Sequence, residues 1–332
     1  MASASFRALR AATVPAKAIA GAALLVLAGC APGQEVAGAA PHGNSALQEK
    51  LFAKGVKRFI FSDWAGPALP VWTYRAAGTP ADAPVLFIFH GALRDADNYV
   101  DQWLDLARRY KIVLIVPEFS KASFPGARSY SHGWFTEKDG MPRPPEKWSF
   151  AVVEPIFAEV RAREALNAQR YSLYGHSGGA QFVHRFILAG GGPHMARAVS
   201  ANAGSYAMTD PAVKWPFGLA GLPEGLWHPK SVFALPVTVL LGTEDIDPHH
   251  HSLPRQPEAM AQGPYRLARG QTFYARARAV AKSEGVPFAW TCGLVRGVGH
   301  DNGGMAPVAV RVLFGKTALA PGADCAPVEE AR

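Results

Sequence analysis

Tyr171-Ser172-Leu173-Tyr174-Gly175-His176-Ser177-Gly178-Gly179-Ala180 is the stretch that decides the fold. Tyr171 to Tyr174 reads as a strand and Ala180 to Leu188 as a helix that starts almost at once. The intervening Gly-x-Ser-x-Gly must therefore turn the chain sharply. Such a turn leaves room only for small residues two before and two after the serine. It lifts the Ser177 hydroxyl clear of the sheet and aims the helix N-terminus at it. Working outward, Pro84 to Phe89 and Ile112 to Pro117 are continuous apolar runs, as expected of strands buried on both faces, and Pro236 to Leu241 is a further strand. Arg58 to Ser62, Leu69 to Arg75, Ala198 to Ala201 and Phe288 to Val295 complete the expected strands. Helical patterns run from Asn98 to Arg109, Phe150 to Glu164, Arg269 to Glu284 and Ala306 to Phe314. Strands crossed by helices predict an α/β fold with a mostly parallel central sheet and helices on both faces. No linker divides residues 57–332, so they form one domain with two insertions, Ser120 to Pro145 and Tyr206 to Lys230.

The serine turn, with a strand before it and a helix after it, resembles the nucleophile elbow of the α/β-hydrolases. Within them it resembles esterases similar to polyhydroxybutyrate depolymerases and feruloyl esterases. The resemblance covers about Lys57 to Gly315 and implies the α/β-hydrolase fold, with both insertions over the active site. A serine hydroxyl is a poor nucleophile until a base takes its proton, and the base needs a carboxylate to hold its tautomer. The chain order implied is Ser, acid, His. The family places its acid at the fourth residue of a Gly-x-x-Asp turn after a strand, and Gly242-Thr243-Glu244-Asp245 matches, which assigns Asp245. Asp247 and Glu244 are the alternatives in the same acid-rich turn. His300, in Gly297-Val298-Gly299-His300 after the last strand, is the expected base. The resemblance also implies an oxyanion hole built from the backbone N–H of Gly178 and a second donor after His90-Gly91. That donor is assigned to Ala92, with Leu93 one register away. The implied activity is hydrolysis of carboxylic esters through an acyl-enzyme, with no cofactor, and polyesters and aromatic esters are candidate substrates. A peptidase or amidase with the same triad is one alternative, and a catalytically silent binding lipoprotein is another.

Other residues invite weaker readings. His249-His250-His251 suggests a metal, yet three adjacent side chains cannot converge on one ion as i and i+4 positions on a helix do, so a solvated loop beside the site is expected. His176 is expected to pack or bond locally, and His184 to be a satisfied, partly buried histidine. Phe124, Tyr130, Trp134, Phe135 and Trp148 in and beside the first insertion, with Tyr206, Trp215, Phe217 and Trp227 in the second, fit either a substrate cleft or the insertions' own core. Arg94, Arg255 and Arg266, near the predicted loops, fit an acidic substrate, but as scattered arginines they read as surface charge.

Residues 1–29 combine a basic start with the apolar run Ala18 to Ala28, too short for the ~20 helical residues of a bilayer span, and read as a signal peptide. Leu27-Ala28-Gly29-Cys30 resembles the bacterial lipobox, which makes Cys30 the lipidated first residue of the mature chain. The expected location is exported, periplasmic or at the cell surface, anchored to the membrane by lipid. Residues 30–56 are expected to be a flexible tether. In an oxidising compartment Cys292 and Cys325, the two remaining cysteines, would form a disulfide tying the C-terminal tail to the segment before His300. No Cys/His spacing suits a metal site.

Composition excludes disorder as the main state, since 49% of the 332 residues are hydrophobic and only 18% charged. The formal charge of +8 does not indicate nucleic acid. Three of the positive charges (Arg7, Arg10, Lys17) lie in the leader, and the rest form no basic helix or zinc-finger pattern. The expected partners are an ester substrate and a membrane.

Overall fold

The computed structural model describes residues 45–315, 317 and 319–328. The signal peptide and Cys30 lie outside them. A nine-stranded sheet runs through the domain in the order β1-β2-β4-β3-β5-β6-β7-β8-β9. Its strands are β1 (Lys57–Phe61), β2 (Leu69–Tyr74), β3 (Val85–Phe89), β4 (Val113–Pro117), β5 (Tyr171–His176), β6 (Met195–Ala201), β7 (Val237–Gly242), β8 (Thr291–Val295) and β9 (Ala326–Pro327). Only β2 pairs antiparallel, with β1 and with β4, and every other pairing is parallel. This is the α/β-hydrolase architecture. The central strands are unbroken apolar runs because both sheet faces are covered. All five residues of β3 and of β4 are buried.

The helices are α1 (Ser45–Ala53), α2 (Ala96–Tyr110), α3 (Val153–Arg163), α4 (Gly178–Leu188), α5 (Pro229–Ala234), α6 (Pro257–Met260), α7 (Arg266–Ser283) and α8 (Asn302–Phe314). Alternate strand residues send side chains to opposite faces. Phe87 and Phe89 join α3, α4, α5 and α7 in one core, with Ile156, Phe182, Phe233 and Phe273. Leu86 and Ile88 join α1, α2 and α8 in the other, with Leu51, Trp103 and Val310.

Several boundaries differ from the sequence reading. The tether expected through residue 56 does not reach that far. Ser45–Ala53 is a helix with Leu51 fully buried, so the folded chain includes it. Helix α8 starts at Asn302 rather than Ala306 because the Asp301 side chain accepts from the Gly303 and Gly304 amides, offsetting two glycines that read as non-helical. The strand expected from Phe288 begins only at Thr291. Ala289 N bonds Phe233 O instead, and Trp290 packs against Phe233. Helices α5 and α6 carried too few residues for a periodic signal.

Cys292 on β8 and Cys325 beside β9 form a disulfide, with Cα atoms 4.5 Å apart. It ties the parallel edge strand β9 to β8 just before the segment that carries His300. Among the described residues no helix is long and apolar enough to cross a membrane.

Candidate active site

Four loops leave the carboxyl ends of parallel strands on the same edge of the sheet, where open α/β sheets hold their ligands. They follow β3, β5, β7 and β8, and carry Gly91-Ala92, Ser177, Asp245 and His300 respectively. Ser177 stands between β5 and α4 with φ 57° and ψ −114°, a conformation rare for any residue with a side chain. Tight packing enforces it. A Cβ on Gly175 would lie 2.2 Å from Gly179 O, and one on Gly179 would lie 1.8 Å from Phe89 O. The requirement for small residues on both sides of the serine is therefore steric.

The structure brings Ser177, His300 and Asp245 into one line. His300 Nε2 is 3.0 Å from Ser177 Oγ, and its Nδ1 is 2.8 Å from Asp245 Oδ2. Asp245 is buried. The two alternatives face away from this line: the exposed Asp247 carboxylate accepts from His249 N at 2.8 Å, and Glu244 accepts from Thr243 Oγ1. Behind Asp245 lies Arg266, whose Nη1 donates to the other carboxylate oxygen at 3.3 Å. Arg266 and Arg94 are both buried, which corrects their reading as surface charge. His176 packs under the imidazole of His300, with ring centres 4.8 Å apart, and bonds the Tyr99 hydroxyl through Nδ1 at 3.1 Å. Burial, then the neighbouring His300 and Arg266, hold it well below the usual histidine range, so it stays neutral. His184 is fully buried between Ala180 O and Ala207 N, more enclosed than expected.

The turn after β3 lies against the start of α4. A Cβ on Gly178 would stand 3.1 Å from Ala92 N, and one on Gly91 would meet the Tyr99 hydroxyl at 2.9 Å. Among the described residues neither the Ala92 nor the Gly178 amide has a hydrogen-bond partner. The Leu93 side chain is exposed. His90 anchors the turn from below: Phe119 N donates to its Nε2 at 3.0 Å, so the ring proton lies on Nδ1, which faces Gly91 O at 3.1 Å. Burial, then the charge of Arg94, push His90 down to about 3.

A cleft of about 440 Å³ opens over Ser177 and His300. Its walls mix the amides of Asn98, Gln102 and Asn302, the carboxylates of Asp95 and Asp301 and the loop His250 to Ser252 with the apolar surfaces of Ala92, Leu93 and Tyr99, and hold no lysine or arginine. None of the insertion aromatics lines it. Phe124, Tyr130, Phe135 and Tyr206 are buried in the core, and Trp134, Trp148, Trp215 and Trp227 pack against it. Among the described residues no group of three His, Cys, Asp or Glu is placed to hold a metal ion. His250 sits beside the site, its ring centre 5.1 Å from that of His300. Sequence reasoning misread Arg266 and missed the Asn98, Gln102 and Asn302 wall. Neither has a local signature, since each depends on a contact between distant elements.

No family model matches the sequence, and no curated protein does. Solved structures do. A poly(aspartic acid) hydrolase-1 from Sphingomonas sp. KT-1 is 42% identical, with a TM-score of 0.74 over 77% of this chain and 97% of its own. LpqC, a poly(3-hydroxybutyrate) depolymerase from Bordetella parapertussis, is 33% identical, with a TM-score of 0.72 over 81% of this chain and 94% of its own. An S-formylglutathione hydrolase from Agrobacterium tumefaciens, 13% identical with a TM-score of 0.51 over 78% of this chain and 92% of its own, shares the fold.

Proposed function

This chain belongs to the α/β-hydrolase family of serine esterases, and from that premise we propose that it cleaves carboxylic esters with Ser177 as nucleophile, His300 as base and Asp245 as its orienting acid. The observation that carries the proposal is the unbroken relay of Ser177 Oγ, His300 and Asp245, at 3.0 Å and 2.8 Å, beside two unpaired amides. Ser177 Oγ attacks the ester carbonyl as His300 Nε2 takes its proton, and the oxygen that becomes negative accepts from the Ala92 and Gly178 amides. His300 returns the proton to the departing alkoxide. Water, deprotonated by the same nitrogen, then releases the acid from Ser177.

The amides and the hydroxyl along the cleft support esters whose chains carry hydroxyl or carbonyl groups, with Leu93 and Tyr99 placed to receive their apolar parts. Two carboxylates and no cation on its walls disfavour a polyanion. The relatives named for poly(3-hydroxybutyrate) and poly(aspartic acid) frame the ester and amide alternatives. Labelling with a fluorophosphonate, followed by side-by-side turnover of short-chain, long-chain, aromatic, hydroxyalkanoate and poly(aspartic acid) substrates, tests the reading. Ser177→Ala should lose labelling and roughly 10⁶-fold in rate while keeping its melting temperature. Activity within tenfold of the parent refutes the nucleophile.

We also propose export with a lipid anchor on Cys30. The disulfide Cys292–Cys325 supports an oxidising compartment. Cys30→Ala should leave the membrane fraction or accumulate as precursor, and unchanged detergent-dependent membrane association refutes the anchor.

A further inference from the structure

We infer that Arg266 is a positioning residue for this reaction: it fixes the rotation of the Asp245 carboxylate and opposes the charge that forms on His300. The inference rests on the Ser177, His300 and Asp245 reading above. The carboxylate torsion of an aspartate is broad and roughly two-fold, so one hydrogen bond to His300 does not hold its plane. The second oxygen must be held as well. Arg266 Nη1 lies 3.3 Å from Asp245 Oδ1, and among the described residues no other donor reaches that oxygen. Both side chains are nearly inaccessible to water, at 1% and 2% exposure, so water does not substitute for the guanidinium.

The clamp has two more attachments. On the main chain, Leu267 N donates to Asp245 O at 3.2 Å, which docks the start of α7 onto the loop after β7. On the far side of the guanidinium, Nη2 donates to Ser252 Oγ at 2.9 Å and lies 3.4 Å from His250 Nδ1. Ser252 and His250 line the cleft. One buried cation thus ties the acid of the relay to the substrate-facing wall.

Its charge has a separate consequence. The groups against the His300 imidazole are Asp245 at Nδ1, His176 beneath the ring and His250 beside it, while the carboxylate of Asp301, next in the chain, accepts from the Gly303 and Gly304 amides. Arg266, behind Asp245, is the permanent cation in that set. It offsets part of the carboxylate's electrostatic pull on that ring. Removing one charge at this range, in a medium of intermediate effective dielectric, is expected to move the acid limb of the rate profile up by roughly one pH unit.

The experiment measures kcat and KM on a soluble ester from pH 5 to 9 for the parent, Arg266→Gln and Arg266→Lys, with melting temperatures for each. In Arg266→Gln the plateau kcat should fall about 10- to 100-fold with KM within about twofold, and the acid limb should rise by roughly one unit. In Arg266→Lys the acid limb should return to its parent position, because the charge is restored, while kcat recovers only in part because an ammonium lacks the planar fork. A folded Arg266→Gln whose acid limb stays in place, or whose loss lies wholly in KM, overturns the inference. Should Arg266→Gln fail to fold, Arg266→Lys decides alone, and parent kcat in that variant overturns it. The triad reading fails separately: His300→Ala with parent activity sinks it whatever Arg266 does. An inactive His300→Ala with an indifferent Arg266→Gln removes only the role of Arg266.

Discussion

Asp245→Asn separates the catalytic and structural parts of the site. Asp245 Oδ2 meets His300 Nδ1 at 2.8 Å while Oδ1 meets Arg266 at 3.3 Å, with both partners of the ion pair buried. An amide of the same shape has one acceptor for two donors. If its oxygen stays on His300, its N–H groups face those of Arg266. If the oxygen turns to Arg266, the amide donates towards Nδ1 and the ring carries its proton on Nε2, where it cannot accept one from Ser177. Either way the imidazolium loses its anion, and the expected fall in kcat is about 10⁴-fold, or roughly 5 kcal/mol. Arg266 is also left as a buried cation without its anion, which costs about 3 kcal/mol of stability and roughly 6–12 °C in Tm. Asp247→Asn is the control. Its carboxylate is exposed and caps only His249 N, so the rate should stay within tenfold and the Tm within about a degree. The double variant Asp245→Asn/Arg266→Gln should regain much of the lost Tm and none of the rate. Initial rates on a soluble ester and scanning calorimetry measure both quantities. Asp245→Asn within tenfold of the parent rate refutes the acid assignment, and a parent-like Tm in that variant refutes the ion-pair argument.

Two further predictions concern the frame. Replacing Cys292 and Cys325 together by Ser opens a 33-residue loop, which should lower stability in denaturant titration by about 4 kcal/mol and leave kcat within about twofold; unchanged stability would count against the bridge. His90, His176 and His184 are held neutral chiefly by burial, so below pH ~6.5 the unfolded chain binds protons that the folded one does not. Stability should then fall as pH drops from about 6.5 towards 4, by up to about 1.4 kcal/mol per unit for each histidine, and urea midpoints that stay level from pH 7.5 to 5 contradict this.

The elbow was legible because its signal is local: five consecutive residues obey a steric rule, and the strand and helix beside them have their own periodicity. His300 was legible by its place after the strand β8, the last one that the apolar pattern marks. The acid was less so, because Glu244, Asp245 and Asp247 have similar chemistry and only the path of the loop after β7 decides which one faces His300. Arg266 was misread for a related reason. Twenty-one residues separate it from Asp245, and sequence alone does not show that α7 begins three residues earlier than its periodicity suggests and docks on that loop. The aromatic insertions presented a true ambiguity, since a core and an apolar cleft use the same residue types.

The structure resolves that ambiguity through the turn after β3. Tyr130 Oη donates to His90 O at 2.8 Å, and Phe119 N donates to His90 Nε2, so the first insertion and the residue that leads into it grip His90 from two sides. Arg94, held at φ 68°, donates to Phe119 O at 2.7 Å and Gly126 O at 2.8 Å and lies 4.1 Å over the Tyr130 ring. A left-handed conformation costs a non-glycine residue about 1 kcal/mol or more, and these contacts offset it. On the elbow side, Phe182 of α4 stacks on Phe89 of β3 with ring centres 4.1 Å apart, and Phe150 closes on its edge at 4.8 Å. The aromatics therefore sit beneath the Ala92 and Gly178 amides rather than across the cleft from them. On the proposed reading these amides stabilise a developing oxyanion only if they do not reorganise as charge appears, and the aromatic packing at both turns supports that condition. The cleft over Ser177 is lined instead by α2, the start of α8, Leu93 and the loop His250 to Ser252, so amides, carboxylates and histidines share its walls with apolar side chains.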